Sequence, residues 1–160
     1  MIKGRTYATS YNDGASDDNN DHKDSNNNVN KSELLKKAEA AADYARDHNQ
    51  RTVGNSRCLG AVDDALEHGG HFPYKSDNSD RLSDAYMMHD RLIELGFSEL
   101  PEKPNPLKKG DICITERNAS WPSGHIQIYD GVNWYSDFKQ YSEFVYYYDQ
   151  PPNHYYRILN

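Results

Sequence analysis

The chain is 160 residues long with a hydrophobic fraction of 36% and a mean hydropathy of -1.04, which fits one domain carrying a polar appendage. Its formal net charge is -7 and no block of Lys and Arg interrupts it, so it has no electrostatic footprint for nucleic acid or for an anionic membrane surface. No apolar run is long enough for a transmembrane helix, and Met1 to Ser10 lacks the apolar stretch of a secretory signal.

Residues 1–29 are rich in Asn, Asp, Ser and Gly, and from Asn12 to Asn30 the only apolar residues are Ala15 and Val29. Such a segment cannot bury enough surface to offset its ordering entropy, so it reads as a disordered N-terminal segment ahead of a domain over 30–160. Asn30-Lys31-Ser32-Glu33 has the form of a capping box, and Leu34, Ala38, Ala41, Ala42 and Ala45 follow at helical spacing. A polar loop, Asn49 to Arg57, separates this helix from a second over about Cys58 to His68, stopped by Gly69-Gly70. A third is expected from near Leu82 to Leu95, ending at Gly96, with Pro101, Pro104 and Pro106 holding an extended connector.

From Gly110 the hydrophobic period changes from helical to alternating. Asp111 to Thr115, His125 to Asp130, Asn133 to Phe138 and Tyr155 to Ile158 read as strands, with a turn at Asp130-Gly131. Helices first and a small antiparallel sheet second make the class α+β.

Two cysteines, Cys58 and Cys113, are too few for a disulfide scaffold and neither sits in a CxxC pair. Cys113 alternates with Ile112 and Ile114 and reads as core. Cys58 is placed where a loop turns into a helix, next to Arg57, and both features favour a thiolate. His125 opens a strand after Ser123-Gly124, and Asp137 follows twelve residues later across a hairpin. A three-residue connection or a bulge would set Asp137 opposite His125, whereas a two-residue loop would set Ser136 there. Cys58 as nucleophile, His125 as base and Asp137 as orienting carboxylate form a catalytic constellation for acyl transfer. The Cys58 backbone amide is the natural oxyanion donor. Asn55 and Tyr74 are candidates for a second donor, and Trp121 and Trp134 for lining a cleft.

Arg57-Cys58-Leu59-Gly60-Ala61-Val62, Lys109-Gly110-Asp111-Ile112-Cys113-Ile114, Gly124-His125-Ile126-Gln127-Ile128-Tyr129-Asp130-Gly131 and Trp134-Tyr135-Ser136-Asp137-Phe138 follow in order. That succession resembles the NlpC-type and CHAP cell-wall hydrolases. The resemblance implies a papain-like core, with the nucleophile at the N-terminus of a helix packed on a small antiparallel sheet. It also implies a peptidoglycan amidase or endopeptidase acting on the stem peptide, without cofactor or metal. The family usually has Asp-Cys-Ser at the nucleophile, where this chain has Arg57-Cys58-Leu59. Its third position is often His, Asn, Gln or Glu; Asp137 is the match here and Gln140 the fallback.

A monomeric, unanchored enzyme of this kind is expected to be made in the cytoplasm and to act in the periplasm or cell wall. Delivery by a secretion system or by lysis would take it there, and an antibacterial effector would require an immunity protein in the producing cell. Two other readings are a papain-like deamidase or protease acting on a protein, and a binding module on the same fold without turnover.

Overall fold

The computed structural model describes residues 21–71, 84–146 and 149–159, with side chains from residue 30 onward. Helix α1 (Asp21–His48) is followed by α2 (Cys58–His68), then by a 3-10 turn (Ala85–Met87) that leads into α3 (Met88–Glu94). Six strands complete the described residues: β1 (Ser98–Leu100), β2 (Ile112–Thr115), β3 (His125–Tyr129), β4 (Trp134–Tyr135), β5 (Lys139–Gln140) and β6 (Asn153–Arg157). They form one sheet in the order β1-β6-β2-β3-β4-β5, every neighbouring pair antiparallel. The α+β class and the succession of helices and sheet are as the sequence patterns require.

Helices cover one face of the sheet. Ile112 and Ile114 of β2 and Ile126 and Ile128 of β3 point into a core with the Ala38, Ala41, Ala42 and Ala45 stripe of α1 and Val62, Ala65 and Leu66 of α2. The alanines lie at helical spacing on one side of α1, so α2 and the sheet can approach its backbone closely. Alternation sends Cys113, Trp134 and Tyr155 to the opposite face, where they form a second, smaller cluster with Leu100, Leu107 and Tyr129 beside it.

Asp111, at the Gly-Asp start of β2, is a structural clamp. Both its oxygens take hydrogen bonds from Arg157 of β6, each at 2.7 Å, and Oδ2 also accepts the Lys108 amide at 2.7 Å. Because Asp111 is 1% exposed, loss of the arginine would strand a buried charge, a change that costs about 3–5 kcal/mol.

Three expectations shift. Helix α1 starts at Asp21 rather than at Asn30, inside the segment read as linker; once the alanine stripe has nucleated a helix, adding polar residues to its end costs little. The third helix is shorter and partly 3-10, and Leu82 and its neighbours lie outside the described residues. The strand expected over Asn133 to Phe138 is broken: β4 ends at Tyr135, and the Ser136 amide bonds to the Phe138 carbonyl at 3.1 Å as the chain reverses into β5.

Candidate active site

Cys58 is the first residue of α2, and the loop that delivers it is fixed from outside the helix. Arg57 at the N-cap makes no side-chain capping bond, and Ser56 takes a left-handed φ of 64°. The helix start is left uncapped, and Asp137 instead holds the loop ahead of it, its Oδ2 accepting the backbone N–H groups of Asn55 at 2.5 Å and Arg57 at 3.2 Å. Gly54 allows this approach, since a Cβ there would lie 2.8 Å from the Phe138 ring. The Cys58 sulfur is half-buried and lies against the backbone amide of Ile126, the residue after His125. First helix turn and first strand residues therefore meet at one point.

His125 is delivered by Gly124, which has a φ of +68° and whose Cβ would sit 2.6 Å from the Thr115 carbonyl oxygen. No side chain fits there, and this explains the Gly-His pair. The imidazole is 8% exposed, and its Nε2 is 2.9 Å from Gln140 Oε1. Gln140 Nε2 donates to Gln127 Oε1 at 2.5 Å, and Gln127 Nε2 donates to the backbone carbonyl of Glu143 at 2.9 Å. A carbonyl can only accept, so the Glu143 end sets the direction of the whole series. Each amide nitrogen points away from His125 and each amide oxygen toward it. Ser136 Oγ adds a second bond to Gln140 Oε1 at 2.7 Å. Nε2 must then carry the ring's proton, and Nδ1 is left as a bare lone pair. The far end is held as well, because the Glu143 side chain is ion-paired with Lys103 and accepts the Tyr155 hydroxyl at 3.1 Å.

Burial dominates the electrostatics. It pushes the Cys58 thiol above its ordinary range, against the amides of Ile126, Leu59 and Cys58 itself, while the negative charge of Asp137 adds to the rise. Burial likewise pushes His125 below the usual imidazole range, against the Gln140 bond and Asp137, which both favour the protonated ring. At rest the pair is therefore thiol and neutral imidazole. The helix start and Arg57 suggested a thiolate from sequence, but desolvation outweighs the helix amides, and Arg57 lines a separate cavity beside α1 with Arg51 and Asp64.

Of the three residues read from sequence, the structure sets Cys58 against the backbone of Ile126, the residue after His125, and gives Asp137 a contact with the loop before Cys58. The connection between β3 and β4 is neither of the two lengths considered. Tyr129 pairs with Trp134, so the loop has four residues, 130–133, and continuing the register would set Phe138 opposite His125. The turn at 136–138 then brings Gln140 back across the sheet, opposite Trp134, and Gln140 takes the ring hydrogen bond. Trp134 is buried in the far-face cluster, while Trp121 is 55% exposed beside the site. Asn55 is engaged with Asp137, and Tyr74 lies outside the described residues. Gln127 and the Glu143 carbonyl were missed, although the alternation of β3 that sets Gln127 on the His125 face is visible in the sequence.

This is the fold of the papain-like cysteine amidases of NlpC and CHAP type, with helices packed on an antiparallel sheet and the cysteine at a helix start. Among solved structures the chain is similar to Tae3 in the crystal structure of the native type VI effector–immunity complex Tae3–Tai3 from Ralstonia pickettii. The identity is 29% and the TM-score 0.59, over 76% of this chain and 98% of that one. The selenomethionine form of the same complex gives the same identity and TM-score, over 74% and 99%. No protein-family model matches the chain, nor does any curated protein sequence.

Proposed function

We propose that this protein is a peptidoglycan amidase or endopeptidase that cuts an amide of the stem peptide and serves as an antibacterial effector. The observation that carries the proposal is the directed amide series ending on His125, which leaves Nδ1 free as a base on the strand whose next residue, Ile126, meets Cys58 through its backbone. Cys58 is the nucleophile and His125 the general base and acid. Gln140 holds the tautomer, and Asp137 braces the loop that presents Cys58 rather than orienting the ring. The catalytic unit runs from α1 to β6.

In the first step Cys58 Sγ adds to the amide carbonyl carbon as its proton passes to His125 Nδ1. The carbonyl π pair moves onto oxygen, to which the Cys58 backbone N–H at the open helix start donates a hydrogen bond. The imidazolium formed here is stabilised through space by Asp137, which lowers the barrier to a transfer that burial opposes. Collapse breaks the C–N bond, the leaving amine takes the proton from Nδ1, and a thioester remains. Water, deprotonated by the same nitrogen, then releases the acid and the thiol.

Likeness to Tae3 across almost the whole of that chain supports an effector role. A cognate immunity protein, and delivery by a secretion system to a target cell's wall, are proposed on the same likeness, and the immunity protein is expected to cover Cys58. The test is a digest of purified Gram-negative peptidoglycan with the fragments read by mass spectrometry. Wild type is expected to release fragments that Cys58→Ala does not, and their masses name the bond. Silence from folded, reduced wild type would overturn the cell-wall substrate in favour of a protein substrate or a binding role.

A further inference from the structure

Tyr146 has no part in the hydrogen-bonding series around His125, yet it is fixed against the same place. Its ring stacks on Trp121 at 5.3 Å and 21°, and the Trp121 carbonyl accepts the amide of Gly124, the residue before His125. Its backbone amide donates to Gln150 Oε1 at 3.1 Å. The segment leading to it is tied to the Gln pair through Gln127 Nε2 on the Glu143 carbonyl and Gln140 Nε2 on the Ser142 carbonyl at 3.4 Å. The residue is 9% exposed, but its hydroxyl is buried with no hydrogen-bond partner. Burial, with the neighbouring Cys58 sulfur as a smaller cause, pushes that hydroxyl's pKa up to about 12. Buried hydroxyls are nearly always paired, and an orphan beside a nucleophile calls for a reason.

We propose that Tyr146 is the second oxyanion donor, its hydroxyl held unpaired beside Cys58 for the oxygen of the carbonyl that Cys58 attacks. The inference rests on the Cys–His reading of the site but not on the choice of peptidoglycan as substrate. As Sγ bonds to the carbonyl carbon, the displaced π pair settles on oxygen. Two donors then serve it, the Cys58 amide at the helix start and the Tyr146 O–H. The proton of Tyr146 stays on its oxygen throughout, as burial has made the phenol a weaker acid. When the intermediate collapses the pair returns to the C=O bond and the hydroxyl is again free. A donor without a resting partner has no bond to break before it acts, so its stabilisation appears only as the charge develops.

The experiment compares two reactions at Cys58 in the full-length protein and in Tyr146→Phe. Acylation by p-nitrophenyl acetate passes through an oxyanion, whereas alkylation by iodoacetamide displaces iodide at a saturated carbon and forms none. Acylation is expected to slow by about tenfold to a hundredfold in Tyr146→Phe. Alkylation should stay unchanged, and the melting temperature unchanged or higher, because no bond is lost. Equal acylation rates in the two proteins would overturn the inference. So would a parallel loss of both reactions, which would place Tyr146 on the thiol rather than on the carbonyl oxygen. Neither reaction uses peptidoglycan, so a failed wall digest leaves this result standing on its own.

Discussion

His125 and His154 lie on strands that flank β2, paired with neighbouring residues of it, Thr115 and Ile114, and the sheet gives them opposite chemistry. His154 sits between two carboxylates, Nδ1 at 3.0 Å from Glu99 and Nε2 at 2.8 Å from Glu116. Burial lowers its pKa, but Glu116 and Glu99 more than reverse this and the net shift is upward. His125 is more deeply buried, meets an amide in place of a carboxylate, and moves down. Two carboxylates, one at each ring nitrogen, favour the doubly protonated ring, which has no lone pair to act as a base. A neutral amide engages one nitrogen and leaves the other bare, which makes a base. What distinguishes a structural histidine from a working one in this fold is therefore the partner, more than the burial.

The sharpest way to break the comparison is to exchange the consequences. Cys58→Ala and His125→Ala are expected to lower fragment release from peptidoglycan by about 10⁴-fold or more, while His154→Asn should leave it within about twofold. A wall digest of the three variants decides it, and an active His125→Ala would put the base elsewhere.

A milder change sharpens the role of the partner itself. Gln140→Ala should cost about tenfold to a hundredfold in kcat, since the ring loses the contact that selects its tautomer. Gln140→Glu gives His125 the kind of neighbour His154 has, and a carboxylate favours the imidazolium. Activity needs the neutral ring and is lost as pH falls through its pKa. The acid limb of the kcat profile in Gln140→Glu should thus move to higher pH than in wild type. An unmoved limb would show that Gln140 does not govern the base.

The smallest effect concerns stability. The folded pKa of His154 lies above the unfolded value, so its ion pairs contribute fully below about pH 6.5 and are lost as pH rises through the folded pKa. His154→Asn should therefore destabilise by under about 1 kcal/mol, because the cluster is screened by water, and only on the acid side. His125, with a lowered pKa, acts in the other sense, opposing folding as pH falls below about 6.5. Denaturant melts of wild type and His154→Asn at pH 5.5 and 8.5 should show the gap closing at the higher pH.

Much of this site was legible in the sequence because its parts are local. A cysteine at a loop-to-helix boundary and a histidine at the head of an alternating strand are each set by a few neighbouring residues. Their meeting followed from a family resemblance that the fold now carries. The choice between Asp137 and Gln140 was not legible. It depends on a four-residue loop where shorter ones were weighed, and on a chain reversal at Ser136 to Phe138 that breaks what reads as one continuous strand. The charge state of Cys58 was misjudged for a related reason: helix position is visible locally, whereas the burial that overrides it comes from β3 and the segment around Tyr146, far along the chain. Tyr146 itself was hidden among tyrosines that read as sheet edge, and only its orphan hydroxyl sets it apart.

The covered, protonated state of Cys58 bears on how long such an enzyme survives outside a reducing cytoplasm. Peroxide and other oxidants consume thiolates far faster than thiols, and the first product, a sulfenic acid, ends turnover. Cys113, the other cysteine, is buried with its thiol pushed up to about 12, too inert to form a disulfide with the product or to repair it. On the proposed mechanism, keeping the proton on Cys58 until an amide arrives confines its nucleophilicity to the moment of use, and the same desolvation that slows proton transfer would slow oxidation of the sulfur in an oxidising compartment.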